Sequence, residues 1–335
     1  MKRLLCIALT IALIFALCAC NSTTVNEGDT PTEGEQLTKV TLVLDWTPNT
    51  NHSGLFAAVE KGFYEEAGLD VEIQQPAESS AEALVAAGRA DFGISFQDTM
   101  AAALTADEPL DIKAVAAVVQ HNLSGIISRG DKGIDSFGKL AGHSYATWGN
   151  PIEQAIIKKC VEDDGGDFSK VDMVDTSVLD VMTALDTDMI DAVWVYEYWD
   201  VVGAEVAGYD YNYIDFKTAI PTFDYYTPVI ISSSSYLEKN PEIAKAFLAA
   251  TAKGYEFCAE NPLEAAQILL KAAPELDEAL VTASAEFMAD KYVDESGKWG
   301  AIDEARWTAF YDWLYENGLT DVSLGTTGLD TGYIK

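Results

Sequence analysis

Basic residues are scarce in this chain. Against 54 Asp and Glu stand 21 Lys and Arg, for a net charge of −33. Such a surface repels phosphate backbones, which argues against nucleic-acid binding, and it has no basic patch to dock on anionic lipid. Arginine is scarcest: beyond the N-terminal Arg3 only Arg89, Arg129 and Arg306 remain. Bidentate clamps on carboxylate, sulfonate or phosphate favour Arg. The balance therefore leans away from an anionic ligand, although helix N-termini still bind anions. Cysteine is also sparse, at five. Cys6, Cys18 and Cys20 cluster at the start. Cys160 and Cys258 stand far apart without a CxxC, and read as buried free thiols rather than a disulfide, which nothing in the sequence supports. His52, His121 and His143 lack metal-ligand spacing. With no Walker loop, GxSxG or GxGxxG, no cofactor is implied.

What is present is a core. Hydrophobic residues make up 49% of 335, too many for a disordered acidic chain, and the length suggests about two domains. The first residues are processing signals rather than fold. A basic start, Lys2 and Arg3, precedes the uncharged run 4–19. At 16 residues this is short of the roughly 20 that span a bilayer, and it fits a secretory signal peptide, residues 1–19. Its end, Leu17-Cys18-Ala19-Cys20, resembles a bacterial lipobox, with Cys20 the lipidated residue; an ordinary signal peptide is the alternative. Residues 21–36 carry one aliphatic side chain, Val25, so 20–37 reads as a flexible tether. The expected location is the cell membrane, lipid-anchored on the extracytoplasmic face. Without the two basic residues of the signal, 19 − 54 leaves a charge of −35.

Strand and helix patterns then alternate. Strands are predicted at 39–44, 69–73, 90–95 and 112–119, with helices at 54–61, 80–87 and 97–104. Ser79 or Ser80 is the N-cap of the second helix, and Gly88 its stop. This order predicts an α/β domain with a mostly parallel sheet. A second unit has strands at 124–128, 142–147, 171–174 and 192–196, with helices at 153–163 and 178–185. A strand at 226–232 returns the chain. Helices at 241–259, 262–272, 276–288 and 303–317 follow, with Pro241, Pro262 and Pro274 near three of their starts.

Residues 45–54 (DWTPNTNHSG) and 60–73 (EKGFYEEAGLDVEI) closely resemble the start of the NMT1/THI5-like (SsuA/THI5) family of solute-binding proteins. Residues 88–95, 148–153, 224–229 and 253–257 match further, so the resemblance spans about 38–320. It implies a two-lobed α/β fold of the periplasmic-binding-protein type II class. Lobe 1 would be 38–125 and 226–335, and lobe 2, inserted, 126–225. The chain would cross near 119–130 and 222–232, forming a hinge, with the last helices on lobe 1. The partners implied are an ABC permease and its ATPase, with the protein itself a monomer. The DWTPNTNH start resembles the subgroup that presents thiamine pyrimidine precursors, formylaminopyrimidine or hydroxymethylpyrimidine. Fungal relatives make the pyrimidine and carry a cysteine-rich iron motif; with two separated cysteines left here, an enzyme is not expected, nor is an adhesive surface lipoprotein.

The candidate ligand residues lie where strands end, since such connections line the crevice of an α/β sheet. The 45–52 connection offers Asp45, Trp46, Asn49 and His52; a capped turn with Trp46 in the core is the alternative. Gln97 follows another strand and either meets ligand or caps a helix. Asn122 stands where the chain leaves lobe 1, serving hinge or ligand. Trp148 precedes a helix whose free N–H groups can bind an acceptor. Tyr196 and Glu197 set a carboxylate among aromatics; strand alternation would point them to opposite sides. Tyr226, in the matching stretch 224–229, completes the set. Of the arginines only Arg129 falls near a proposed loop, at the hinge. Flat rings with carboxylates and amides suit a small heteroaromatic solute, since aromatic faces stack and a carboxylate accepts from an exocyclic amine. Trp46 is expected to stack, and Glu197 or Asp45 to read the amine edge. Riboflavin, or another planar ring compound, is the alternative ligand.

Overall fold

A computed structural model describes residues 37–76 and 79–334. The expected signal peptide 1–19, the expected lipidation site Cys20 and the expected tether up to residue 36 lie outside them. Among the described residues the strands are β1 (Thr38–Val43), β2 (Leu69–Gln74), β3 (Phe92–Ser95), β4 (Lys113–Ala117), β5 (Ser124–Arg129), β6 (Ser144–Thr147), β7 (Asp172–Asp175), β8 (Ala192–Tyr196), β9 (Tyr211–Asp215) and β10 (Val229–Ser232). They form two five-stranded sheets, ordered β2-β1-β3-β10-β4 and β7-β6-β8-β5-β9.

Side-chain pattern explains the places. Val40, Leu42 and Val43 are all buried, as a central strand covered on both faces requires. In β2, Leu69 is buried while Asp70, Glu72 and Gln74 are exposed, the alternation of an edge strand. β9 is absent from the sequence reading because its five residues are all half-buried, so no alternation marks it. The expected mostly parallel sheet is corrected. β1 runs parallel to β2 and β3, and β6 to β7 and β8, but β10 and β5 each run antiparallel to both neighbours. These are the strands that enter each sheet from the other, so no helical crossover forces them parallel. Pro241 and Pro262 do open helices. Pro274 lies in the preceding turn, where Asp277 caps the helix Glu278–Met288.

The two halves repeat local devices at a spacing of one hundred positions. Ser80 and Asp180 cap the helices Ala81–Ala86 and Val181–Asp186. Gly88 and Asp188 then take positive φ, 65° and 52°. Asp91 and Asp191 accept from the N–H groups of Thr41 and Ser144, at 2.8 and 2.9 Å. These devices aim β3 and β8 alike, so their carboxyl ends serve equivalent places.

The chain crosses between sheets at 118–123 and again between β9 and β10. Asp224 pins both crossings: it accepts from the Asn122 N–H at 2.9 Å, His121 Nδ1 at 2.7 Å and Arg306 Nη1 at 3.0 Å. Arg306 Nη2 donates to the Gln120 carbonyl at 2.6 Å. The arginine at the crossings is thus Arg306, whereas Arg129 pairs with Asp131 and Asp188 away from them. The final helices pack on the first sheet, with Phe247, Leu248 and Tyr255 on one face and Trp307, Phe310 and Tyr311 on the other. Cys160 and Cys258 are free and buried in separate clusters. Burial pushes both thiols up, Cys258 to about 12, so neither is a reactive thiolate. Among the described residues no helix is long and apolar enough to cross a membrane.

Candidate binding site

The segments leaving the carboxyl ends of β1, β3, β6 and β8 meet around a cavity of about 440 Å³, at the low end of small-molecule sites. Parallel strands place their outgoing loops there, which is the usual crevice of an α/β sheet. Four of the seven tryptophans line it: Trp46, Trp148, Trp194 and Trp199. Phe96, Tyr196 and Tyr198 add three more rings. Asp45, Asp98 and Asp200 supply the charge, and no lysine, arginine or histidine lines the cavity.

The first loop is built by its own side chains. Asn49 caps the turn Thr50–His52, accepting from the Asn51 N–H at 2.9 Å. The Asn49 N–H donates to His52 Nδ1 at 3.2 Å, so the neutral ring carries its proton on Nε2 and donates it to Asp45 at 2.7 Å. His52 is fully buried and lies behind the cavity; it aims Asp45 rather than touching a ligand. Trp46 is left 60% exposed at the mouth. From below, the hydroxyls of Tyr255 and Tyr292 donate to the carbonyls of Asn51 and Thr50, both at 2.6 Å.

The Trp148 loop is held by a buried carboxylate. Glu153 accepts from the hydroxyls of Tyr145 at 2.8 Å and Thr147 at 2.7 Å. Burial raises its pKa, against those hydrogen bonds and the N–H groups of Trp148 and Asn150. Gly149, with φ 75°, makes the turn. The helix N-terminus expected to bind a ligand acceptor is already capped: Asn150 accepts from Ile152 N–H at 2.8 Å. Trp148 stands edge-on to Trp194, ring centroids 5.5 Å apart.

After β8 the chain leaves strand geometry for a five-residue π-turn, Glu197–Val201. This insertion turns Tyr198, Trp199 and Asp200 inward beside Tyr196, where a continuing strand would have alternated. Tyr198 accepts a hydrogen bond from the Asn51 side chain, joining the first loop to the second sheet. Burial pushes Asp98 up to about 6, with the charge of Glu82 adding and backbone N–H groups opposing. Burial does the same to Asp200, against the Tyr196 N–H.

Of the residues expected from sequence, Asp45, Trp46, Asn49, Trp148 and Tyr196 come together here. Four do not. Gln97 is buried with both ends of its amide used: it donates to the Trp307 carbonyl at 2.8 Å and accepts from the Tyr226 N–H at 2.9 Å. Asn122 is likewise consumed, donating to Phe223 and accepting from Ser124, so it serves the crossing. Glu197 points away from the cavity, toward Lys217 and Asp215, and burial raises its pKa. Tyr226 lies under the Arg306 guanidinium, 4.0 Å from its ring, and accepts from the Asp303 N–H. It borders a larger cavity of about 860 Å³ beside Gln120, His121 and Arg306. That space is lined mainly by charged and polar side chains, and its one tyrosine ring is already covered by Arg306, so it offers no face for stacking.

Trp194 and Asp200 are the site residues that sequence reasoning missed, while Phe96, Asp98, Tyr198 and Trp199 stand in the runs 95–98 and 196–199 from which Gln97, Tyr196 and Glu197 were chosen. Asp98 carried a signal, standing three residues past a strand end, but an acid in the first turn of a helix reads equally as a dipole partner. Asp200 carried none, because the π-turn that brings it inward has no pattern.

Residues 49–265 match the family described as NMT1/THI5 like. The chain belongs to this family. It is 30% identical over 323 residues to the formylaminopyrimidine-binding protein of Halalkalibacterium halodurans, covering 94% of each chain. It is 26% identical to the 4-amino-5-hydroxymethyl-2-methylpyrimidine phosphate synthase of Legionella pneumophila, over 71% of this chain and 75% of that one. Among solved structures it resembles the alkanesulfonate-binding protein SsuA from Xanthomonas axonopodis pv. citri bound to MOPS. The TM-score is 0.66 at 12% identity, over 89% of this chain and 99% of that one. At such identity the likeness is one of fold, a two-sheet α/β binding-protein architecture.

Proposed function

We propose that this chain is the extracytoplasmic solute-binding lipoprotein of an ABC importer, not an enzyme, and that it captures a thiamine pyrimidine precursor of the formylaminopyrimidine or hydroxymethylpyrimidine type. The observation that carries this reading is the lining of the 440 Å³ cavity: stacked-ring faces and three carboxylates without a single cation. An aminopyrimidine offers a flat ring and amine donors, the complement of that surface. A sulfonate would meet only acids. The near full-length similarity to a formylaminopyrimidine-binding protein supports the same ligand. Against a synthase role, Cys160 and Cys258 are buried in separate cores and out of reach of a shared metal.

In this reading the sheets are lobes, 38–125 with 226–335 and 126–225, that close on the solute about the crossings pinned by Asp224. Residues 1–19 are removed, Cys20 carries lipid, and 20–37 tethers a monomer within reach of the permease and its ATPase. Thermal shift against aminopyrimidines, thiamine, riboflavin and alkanesulfonates tests the ligand. A solute at 100 times its dissociation constant stabilises by about 2.7 kcal/mol. Stabilisation by the aminopyrimidines is expected. A response to riboflavin or sulfonate alone would refute the assignment.

A further inference from the structure

The charges of the cleft bear on the protonation state of what it holds, and this inference rests on the reading above. Asp45 is compensated by the His52 N–H. Asp98 and Asp200 are not compensated by any side chain: Asp98 has only N–H groups of its own helical turn, and Asp200 only its own N–H and that of Tyr196, the latter at 3.2 Å. They come from different sheets, one after β3 and one after β8. Both act, with Asp45, on the Tyr196 hydroxyl, so the three acids surround one part of the cavity. The other titratable groups facing Asp98 are Glu82, Tyr225 and Tyr311. Those facing Asp200 are Tyr196, Tyr198 and Tyr213. None supplies positive charge.

We propose that the cleft holds its heterocycle as a ring cation, with one proton taken from solvent onto a ring nitrogen and the ring clasped between the Asp98 and Asp200 carboxylates. Closing the two sheets on a neutral ring would bury two ionised carboxylates against aromatic faces, which is costly without a counter-charge. Closing them on a cation turns the same groups into charge-assisted acceptors, one from each sheet. Burial holds both acids near pKa 6, so above pH 7 they are ionised in the free protein. An aminopyrimidine is a weak ring base and is mostly neutral there. Binding must therefore draw a proton, and affinity must fall by up to about tenfold per pH unit above neutrality, the limit for one linked proton.

Calorimetric titration of the whole protein with 4-amino-5-hydroxymethyl-2-methylpyrimidine at pH 8, in phosphate and in Tris, reads proton uptake from the difference in apparent enthalpy. Uptake approaching one proton is expected, with the pH slope flattened in D98N and D200N. Binding without uptake overturns the cation while leaving the pyrimidine reading intact. Undiminished uptake in D98N/D200N overturns the residue assignment. If the pyrimidine does not bind, the functional reading fails, and benzamidine against benzamide decides the inference alone. Preference for the cationic amidine upholds it; equal or absent binding of the two overturns it.

Discussion

Trp46→Ala should weaken aminopyrimidine binding by about thirtyfold while leaving the melting temperature of the ligand-free protein unchanged. Thirtyfold corresponds to about 2 kcal/mol, the loss expected for an aromatic anchor that the bound ligand buries. The free protein should not notice, because the indole is 60% exposed and buries little in the fold. It stands at the mouth of the cavity, and its burial waits on the ligand. Calorimetric titration and thermal melting of the same variant check both halves. Unchanged affinity would remove Trp46 from the site. A lowered melting temperature in the free protein would show that the ring belongs to the core, the alternative that the sequence left open.

Gly254→Ala should be the most damaging single methyl group in the chain. The helices Ser53–Glu60 and Pro241–Glu260 touch backbone to backbone at Gly54 and Gly254. A Cβ at 254 would stand 2.0 Å from the Gly54 carbonyl oxygen, and one at 54 would stand 2.2 Å from the Tyr255 ring. Neither neighbour can swing aside: one is main chain, and the other is a buried ring stacked on Trp299 and bonded to the Asn51 carbonyl. Overpacking of this kind costs about 3 kcal/mol. The helix carrying Gly54 directly follows the Asn49–His52 turn, so ligand affinity should fall with stability. Gly203→Ala is the control: its Cβ would lie 3.6 Å from Leu280, ordinary contact, inside the helix Val202–Ala207. That change should be neutral or stabilising by up to about 1 kcal/mol. Urea midpoints measure both. Equal midpoints for the two variants would contradict the close crossing.

How far the sequence carried this picture depended on periodicity. Strands such as β1 and β8 were legible because their apolar runs are bounded by turn residues, and the long C-terminal helices because their stripes repeat. β9 was not, since half-buried residues alternate with nothing. The site was legible where chemistry sat in a single distinctive loop: Asp45, Trp46 and Asn49 were named from the run 45–52, and their family resemblance agreed. It was illegible where geometry depends on contacts far away in the chain. Gln97 and Asp98 are adjacent, yet one spends its amide on Trp307 and Tyr226 while the other faces the cavity. No local pattern separates them. Glu197 was named because it stands among aromatics just past the strand 192–196; the π-turn that follows leaves it out of the cavity and brings Asp200 in. The KGYEF stretch was read only as a family match; its physical cause is the Gly54–Gly254 crossing and the Tyr255 support of the first loop.

The role of the crevice at the strand ends is tested most directly by a crystal structure of the protein grown with 4-amino-5-hydroxymethyl-2-methylpyrimidine. The account predicts the ring against Trp46 and Tyr196, with its polar edge on the carboxylates of Asp98 and Asp200. A ring seated instead in the larger cavity beside Gln120 and Arg306 would contradict it.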